Sequence, residues 1–245
     1  MPSITLSVIL PAYNEAARLP PYLSAVRTYL DACHPGAYEV VVVDDGSRDG
    51  MAAVLQRSAR DWPELRVVTH AENRGKGAAV RTGVLAAAGD LLLFADADGA
   101  TPIDEHARLA VAIAAGADVA IGSRLLVGDG IRRARSRMRG VTGLLFSVVA
   151  KRLLRLPVRD TQCGFKMFRG EVGRRLFSLT SESRYLFDLE LLAEAQRLGY
   201  RIVEVPINWH EVPGGHLHPL LELPRIMAGL WRLRRLGGGC RSCGE

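Results

Sequence analysis

The chain has 245 residues, of which 48% are hydrophobic and 24% are charged, and its formal net charge is +6. This length and apolar content predict an α/β domain with a C-terminal extension and exclude a disordered chain. No run of about 18 apolar residues occurs, so no transmembrane helix is predicted. The first residues also lack the basic and apolar regions of a signal peptide.

Hydrophobic runs alternate with helical patterns along the first half of the chain. Strands are predicted at Leu6–Leu10, Glu39–Val43, Leu65–Thr69, Asp90–Ala95 and Asp118–Ile121, with Pro11 expected to end the first. Helices are predicted at Ala16–Leu30, Gly50–Arg60, Gly77–Ala88 and Ile103–Ala115. Since these strands do not alternate apolar with polar residues, we expect a mostly parallel sheet covered by helices on both faces.

Polar clusters follow three of the predicted strands. They comprise Tyr13, Asn14 and Glu15 after the first strand, Asp44 and Asp45 after the second, and Asp96 and Asp98 after a later one. In sheets of this kind, ligands bind beyond the carboxyl ends of the strands. The three clusters therefore predict a single site at one edge of the sheet.

Asp96 and Asp98 are the best candidates for metal ligands. They are two residues apart directly after a strand, so an extended backbone would turn both carboxylates to the same side. Two such carboxylates suit a hard divalent cation, Mg²⁺ or Mn²⁺, which usually shares its coordination shell with phosphate oxygens.

Other residues near the predicted edge are also candidates for ligand binding. Asp44 and Asp45 either bind a base or ribose or cap the next helix, for which Ser47 and Asp49 are alternative caps. The loop 73–77 is a glycine-flanked basic segment before a helix, a weak signal for phosphate binding. Arg124 follows the strand at Asp118–Ile121, and a guanidinium in that place suits a diphosphate.

The positive charge is concentrated in one segment. Nine Lys and Arg but no Asp or Glu lie between Ile131 and Arg159, so the rest of the chain is net negative. Basic amphipathic helices are predicted at Val141–Leu156 and Leu220–Leu236, either packing on the core or contacting a membrane. Anionic lipid, phosphorylated substrates and nucleic acid are all possible partners of such a segment. Nucleic acid is disfavoured, because Phe146 is its only aromatic residue.

The four cysteines do not indicate a disulfide framework in a chain of this length, and they favour a reducing compartment. Cys240 and Cys243 have the spacing of half a metal site. No second Cys or His pair lies near them, so a structural zinc site is disfavoured.

A series of motifs resembles the family 2 glycosyltransferases of the GT-A fold, in the subgroup that uses dolichyl or polyprenyl phosphate. In chain order they lie at 8–15, 43–47, 73–77, 94–101, 122–124, 159–166 and 187–192. The resemblance covers about residues 5 to 217 and is greater to glucosyltransferases than to mannose synthases. Relatives usually carry Ser-Lys where Gly215-His216 stands here, and many have transmembrane helices.

The resemblance implies a role for each matched residue. The nucleotide-sugar would be bound by Pro11, Ala12, Tyr13, Glu15, Asp44, Asp45, Lys76, Asp96, Ala97, Asp98 and Arg124. Asp96, Asp98, Arg124 and Asp188 would be catalytic, with Mg²⁺ or Mn²⁺ on Asp96 and Asp98. The acceptor phosphate would meet Arg135, Arg139, Gln162 and Lys166, and Asp188 and Glu190 would contact the sugar or position it.

The expected reaction is inverting transfer of a hexose to a lipid phosphate. UDP-glucose is the expected donor and GDP-mannose the alternative. A soluble hydroxyl acceptor is a second alternative, which would require Asp188 or Glu190 as a base. Nucleotidyltransfer and RNA binding are disfavoured.

The same resemblance implies a domain organisation and a place in the cell. Residues 1–217 are expected to form the catalytic domain, with residues 131–159 as its basic acceptor and membrane segment. Residues 218–245 are expected to be a basic helix and a flexible tail. The protein is expected to bind peripherally to the cytoplasmic face of a membrane.

Overall fold

The fold comes from a computed structural model, which describes residues 4–128, 130–131, 133–134 and 156–212. Both predicted basic helices fall outside these ranges, apart from Leu156. Arg135, Arg139, His216, Cys240 and Cys243 also fall outside them. Within the described ranges, no helix has the length and apolar character needed to cross a membrane.

Strands and helices alternate along the described chain. The strands are β1 Leu6–Ala12, β2 Tyr38–Asp44, β3 Leu65–Thr69, β4 Leu91–Ala95, β5 Val119–Ser123, β6 Arg133–Ala134, β7 Phe165–Arg169, β8 Ile202–Pro206 and β9 Trp209–His210. The helices are α1 Leu19–Cys33, α2 Met51–Arg60, α3 Lys76–Ala86, α4 His106–Ala114, α5 Gly170–Leu179 and α6 Phe187–Arg197, with a 3₁₀ turn at Ile103–Glu105.

The main sheet has the strand order β3-β2-β1-β4-β7-β5-β8, and β6 pairs with β9 in a separate small sheet. β7 runs antiparallel to both of its neighbours, β4 and β5. The other pairings in the main sheet are parallel, so the predicted mostly parallel sheet is confirmed. Because β7 is reversed, its first residues lie at the same edge as the last residues of β4 and β5.

The prediction that Pro11 ends the first strand is wrong. β1 continues to Ala12, and Pro11 pairs in register with Val43. The Ala12 carbonyl accepts a hydrogen bond from Asp45 N, so Ala12 faces β2 and Pro11 faces the opposite side. Pairing with β4 stops at Ile9 on that side, so the missing N–H of Pro11 breaks no ladder bond.

The core explains why the strand patterns are continuous rather than alternating. β1 and β2 are buried at every position, which requires cover on both faces because neighbouring residues point to opposite sides. α3 packs closely on these strands: a Cβ at Gly83 would lie 2.5 Å from Ile9 Cγ2 and 3.1 Å from Val43 Cγ2. This contact fixes the height at which α3 begins, beside the predicted site.

Candidate functional site

The structure brings the predicted clusters to one edge of the sheet. The residues that follow β1, β2, β4 and β5 lie there, together with those that precede β7. The start of α3 joins them, because Lys76 contacts Asp96. The start of α6 joins them as well, because Asp188 contacts Lys166 of β7.

The loops after β1 and β2 hold each other. Asn14 N donates to Ser47 Oγ at 2.9 Å, and Arg48 N donates to Asn14 Oδ1 at the same distance. Asn14 has φ 55°, a left-handed conformation that Asn tolerates better than most residues. Tyr13 next to it is 42% exposed, which leaves its ring available to a ligand at this edge.

The remaining nucleotide candidates of this region are less exposed. Pro11 and Ala12 are buried as the last residues of β1, and Ala97 is buried between the two aspartates. Glu15 is partly buried, and its Oε1 accepts a hydrogen bond from Arg18 Nη2 at 2.5 Å.

The carboxylates of Asp44 and Asp45 accept hydrogen bonds from backbone N–H groups of the loops after β2 and before α3. Asp44 Oδ1 accepts a hydrogen bond from Ser47 N at 2.9 Å, which forms a turn after β2. Gly50 is the N-cap of α2, and Asp44, Asp45 and Ser47 make no bond to the helix; of the predicted caps, only Asp49 contacts it, because its Oδ1 accepts a hydrogen bond from Met51 N at 3.2 Å.

Asp45 holds the loop that leads into α3. Its Oδ1 accepts from Arg74 N at 2.9 Å and from His70 Nδ1 at 2.7 Å, and its Oδ2 accepts from Gly75 N at 2.8 Å. The residue is 2% exposed, so the expected direct nucleotide contact of its carboxylate does not fit this geometry. Asp45 instead determines where Lys76 stands.

Lys76 is the first residue of α3, and the loop that Asp45 holds places its ammonium at the site. Its Nζ lies 2.6 Å from Asp96 Oδ1 and 5.5 Å from the centre of the Phe94 ring. Burial acts to lower the pKa of Lys76, but the charges of Asp96 and Asp188 outweigh it and raise that pKa. Lys76 is therefore a permanent positive charge at the end of β4.

Asp96 and Asp98 lie where the sequence predicts them. Asp96 N donates to the Gly164 carbonyl at 2.9 Å, and Asp98 Oδ1 accepts from Ala100 N at 3.0 Å. Burial raises the pKa of Asp98, and the negative charge of Asp96 adds to the effect. Two carboxylates that destabilise each other in this way favour a shared cation.

These oxygen donors fit Mg²⁺ or Mn²⁺. Among the described residues, no group of three or more His, Cys, Asp or Glu side chains is placed to hold a metal ion. Two carboxylates without a third protein ligand suit an open Mg²⁺ or Mn²⁺ site, in which phosphate oxygens and water complete the shell.

Arg124 reaches the edge of the sheet, but it is bound to a carboxylate there. Its Nε donates to Asp160 Oδ2 at 2.8 Å, and its Nη2 donates to Asp160 Oδ1 at 2.7 Å. The carbon of the guanidinium lies 5.7 Å from the centre of the Trp209 ring. Burial acts to raise the pKa of Asp160, yet the Arg124 guanidinium more than offsets this and holds that pKa below its usual range. Arg124 thus offers a ligand only part of its guanidinium.

Asp160 itself was not singled out from the sequence, although it lies in the motif at 159–166. Its N–H donates to Glu204 Oε1 at 2.8 Å, and Arg159 N donates to Glu204 Oε2 at the same distance. Glu204 of β8 therefore anchors the segment whose carboxylate anchors Arg124. The signal that could have identified Asp160 is its place in that motif, as an acidic residue between Arg159 and the strand that begins at Phe165.

Lys166 requires a correction. Its side chain is fully buried in β7, and its Nζ donates to the Asp188 carboxylate and to the Cys163 carbonyl, the latter at 2.7 Å. A direct contact with an acceptor phosphate does not fit this position, because the ammonium is enclosed by protein. Lys166 is the counter-ion of Asp188.

Asp188 and Glu190 lie in the first turn of α6 and have different contacts. Burial raises the pKa of Asp188, while Lys166 and Lys76 act against that rise. Glu190 Oε2 accepts from Ser181 N at 2.9 Å and from Glu182 N at 2.7 Å, so it holds the loop before α6. Sugar contact by Glu190 does not fit these bonds.

Gly164 must be a glycine because Asp96 occupies the space of its side chain. A Cβ there would lie 2.0 Å from Asp96 Oδ2 and 2.5 Å from Oδ1, a clash that would displace the carboxylate. Gly164→Ala is therefore expected to lower kcat on the order of a hundredfold, because a displacement of about 1 Å has that cost. Steady-state transfer assays measure the effect.

Gly199→Ala is the matched control. Gly199 has φ +75° and no atom within 4 Å of its Cβ position, so the alanine strains the backbone without touching the site. Activity per folded molecule should be unchanged. Equal losses in both variants would mean that the Gly164 clash is not what matters.

Comparison with known sequences gives one family. Residues 7–177 match the profile of "Glycosyl transferase family 2". A dolichyl-phosphate beta-glucosyltransferase of Drosophila melanogaster is 40% identical over 255 residues, covering 98% of this chain and 78% of the relative. The enzyme of that name from Homo sapiens is 35% identical over 257 residues, covering 96% and 79%.

Comparison with solved structures gives the same fold. Glucosyl-3-phosphoglycerate synthase from Mycobacterium tuberculosis, in complex with UDP, matches with a TM-score of 0.69 and 22% identity, over 94% of this chain and 80% of its own. Mannosyltransferase PcManGT from Pyrobaculum calidifontis, in complex with GDP-Man and Mn²⁺, has a TM-score of 0.62 at 22% identity, covering 95% and 66%. The predicted GT-A fold is confirmed.

Proposed function

The chain belongs to glycosyl transferase family 2 and is a glycosyltransferase, and we propose that it transfers glucose from UDP-glucose to dolichyl or another polyprenyl phosphate. The observation that carries this proposal is 40% identity, over 98% of the chain, to a dolichyl-phosphate beta-glucosyltransferase. The geometry of the site supports it, because Asp96 and Asp98 stand beside Lys76 at the edge where nucleotides bind in such sheets.

The reaction is a single displacement. An oxygen of the acceptor phosphate forms a bond to the anomeric carbon, while the bond from that carbon to the diphosphate oxygen breaks and UDP leaves. An α-linked donor then yields a β-linked product. The leaving diphosphate gains negative charge, which the Lys76 ammonium and the free part of the Arg124 guanidinium are placed to stabilise.

Asp96 and Asp98 would hold the divalent cation. When bound, Mg²⁺ or Mn²⁺ supplies positive charge beside the diphosphate and offsets the repulsion between the two carboxylates. The position of both carboxylates directly after β4, at the edge that Lys76 also reaches, supports this assignment.

A phosphate acceptor agrees with the state of Asp188. A phosphate monoester has a second pKa of about 6 and is an anion at neutral pH, so it attacks without a general base. A hydroxyl acceptor needs a base within hydrogen-bond reach. Asp188 is buried and bound to Lys166, and Glu190 is bound to a loop, so neither carboxylate is free for that task.

The acceptor implies a membrane surface. Arg135 and Arg139, two of the residues expected to meet the acceptor phosphate, belong to the basic segment that lies outside the described residues. Each basic residue near an anionic bilayer contributes about 1 kcal/mol of binding free energy. We therefore propose peripheral docking of the catalytic domain on the cytoplasmic face, which low-salt sedimentation with anionic vesicles would test.

The experiment that tests the function is a transfer assay with radiolabelled sugar. Purified protein, Mn²⁺ and a short polyprenyl phosphate are incubated with UDP-glucose or GDP-mannose, and the organic phase is counted. We expect label from UDP-glucose only, and its loss with EDTA. Label from GDP-mannose instead would replace the donor, and label only in a water-soluble acceptor would refute the lipid-phosphate proposal.

A further inference from the structure

The segment 160–164 that precedes β7 is held at three of its five residues. Asp160 is bound to Arg124, the Cys163 carbonyl accepts from Lys166, and the Gly164 carbonyl accepts from Asp96 N. These partners lie in β7 or directly after β5 and β4, so three strands of the sheet position the segment. Gln162, at its centre, therefore lies between Asp96 and Arg124 at the candidate site.

The Gln162 side chain is oriented by a tyrosine from the other side. Tyr185 OH donates to Gln162 Oε1 at 2.6 Å, which places the NH₂ group on the other side of the amide. That nitrogen is buried and has no hydrogen-bond partner among the described residues, although Gln162 as a whole is partly exposed at the site, unlike Lys166 and Asp45. A buried donor without a partner is costly, and such groups need an explanation, of which a missing ligand is one.

The surroundings indicate what kind of ligand atom the donor faces. Tyr185 lies close enough to Asp188, Arg124 and Lys76 for all three charges to act on it. Lys76 and Arg124 are cations that match phosphate oxygens, whereas the Gln162 amide is neutral and matches a hydroxyl. Within the transferase site proposed above, the hydroxyls belong to the sugar of the donor.

We infer that Gln162 Nε2 donates a hydrogen bond to a hydroxyl of the donor hexose, and that Tyr185 is the positioning residue that orients it. This inference rests on the proposed function, since it assumes a nucleotide-sugar in the site. A site built to bond one hydroxyl discriminates against donors that lack it, because its buried donor is then unpaired. Tyr185 would thereby contribute to sugar specificity without touching the sugar.

The test measures how much the sugar adds to nucleotide binding. Calorimetry gives the Kd of UDP and of UDP-glucose, and in parallel of GDP and GDP-mannose, so that the base need not be assumed. The Kd of UDP divided by the Kd of UDP-glucose measures how much the sugar adds to binding. Loss of one neutral hydrogen bond should lower that ratio by about tenfold in Gln162→Glu, which keeps the Tyr185 bond but removes the NH₂.

Tyr185→Phe should lower the same ratio by a few-fold, because it leaves the amide present but unoriented. Affinity for UDP alone should be unchanged in Tyr185→Phe, which a merely structural role would not produce. The carboxylate of Gln162→Glu repels the diphosphate of UDP and of UDP-glucose alike, so its charge cancels in the ratio. Tyr200→Phe is the matched control: Tyr200 precedes β8 at the opposite edge of the sheet, and its loss should change neither constant.

The outcomes separate the two proposals. Equal weakening of UDP and UDP-glucose, or an unchanged ratio, would overturn the Gln162 inference while the transferase proposal stands. A wild-type protein that binds neither nucleotide-sugar would overturn both. A Tyr185→Phe protein with a normal ratio beside an impaired Gln162→Glu would remove Tyr185 from the inference.

Discussion

Asp98→Asn is expected to lower kcat by about a thousandfold while the protein remains folded. The substitution keeps the shape of the side chain and its bond from Ala100 N, but it removes one of the two charges that would hold the cation. Loss of charge stabilisation on a leaving group costs about 3 to 4 kcal/mol in comparable sites. Single-turnover transfer with saturating UDP-glucose and Mn²⁺ measures it.

Stability separates a functional role from a structural one at this position. Burial and the charge of Asp96 raise the pKa of Asp98, so the ionised carboxylate destabilises the folded protein at neutral pH. The asparagine variant should therefore have an unfolding midpoint equal to or above that of the wild type. A fall in both midpoint and activity would contradict the metal role.

Asp104→Asn is the matched control for Asp98→Asn. Asp104 follows Asp98 on the same connection and is exposed. The substitution removes an equal charge a few residues away, so transfer activity should remain within about twofold of the wild type, since exposed charges contribute little. A similar loss at both positions would point to the net charge of the region rather than to a metal ligand.

The second large effect is on stability. Lys166→Met is expected to lower the free energy of unfolding by about 3 kcal/mol, because Asp188 then loses the ammonium bound to it in the interior and keeps only the more distant charge of Lys76. Methionine has a similar length, so little volume is lost. Urea denaturation followed by circular dichroism measures the change.

A double variant identifies the cause. If the unpaired carboxylate is responsible, Lys166→Met combined with Asp188→Asn should be more stable than Lys166→Met alone. If Lys166 instead contacts the acceptor phosphate, Lys166→Met should keep its stability and raise the KM for polyprenyl phosphate. That result would restore the role predicted from the resemblance and contradict the buried ion pair.

Much of the site could be predicted because it depends on short-range patterns. A run of β-branched residues such as Val40–Val43 favours a strand buried on both faces, and the ends of parallel strands meet at one edge. Asp96 and Asp98 therefore had to lie beside the loops after β1 and β2. The recognised motifs add the family, and both the sheet and the family are confirmed.

The strand β7 was missed, and with it the middle of the site. Phe165–Arg169 is five residues long and contains two basic residues, so its pattern does not identify a central strand. It fits there because Lys166 is neutralised by Asp188, 22 residues further along the chain. No local pattern reports such a pairing.

The sequence by itself determined which elements form up to β5, which edge of the sheet carries the site and which carboxylates lie at it. The tertiary structure alone decided which charges are available to a ligand. Arg124 and Lys166 are both cations in recognised motifs. Asp160 binds one side of the Arg124 guanidinium, whereas Lys166 is buried and paired with Asp188. The physical reason is that an ionic group's role depends on its nearest counter-charge and its burial, and both are set by contacts between residues far apart in the chain.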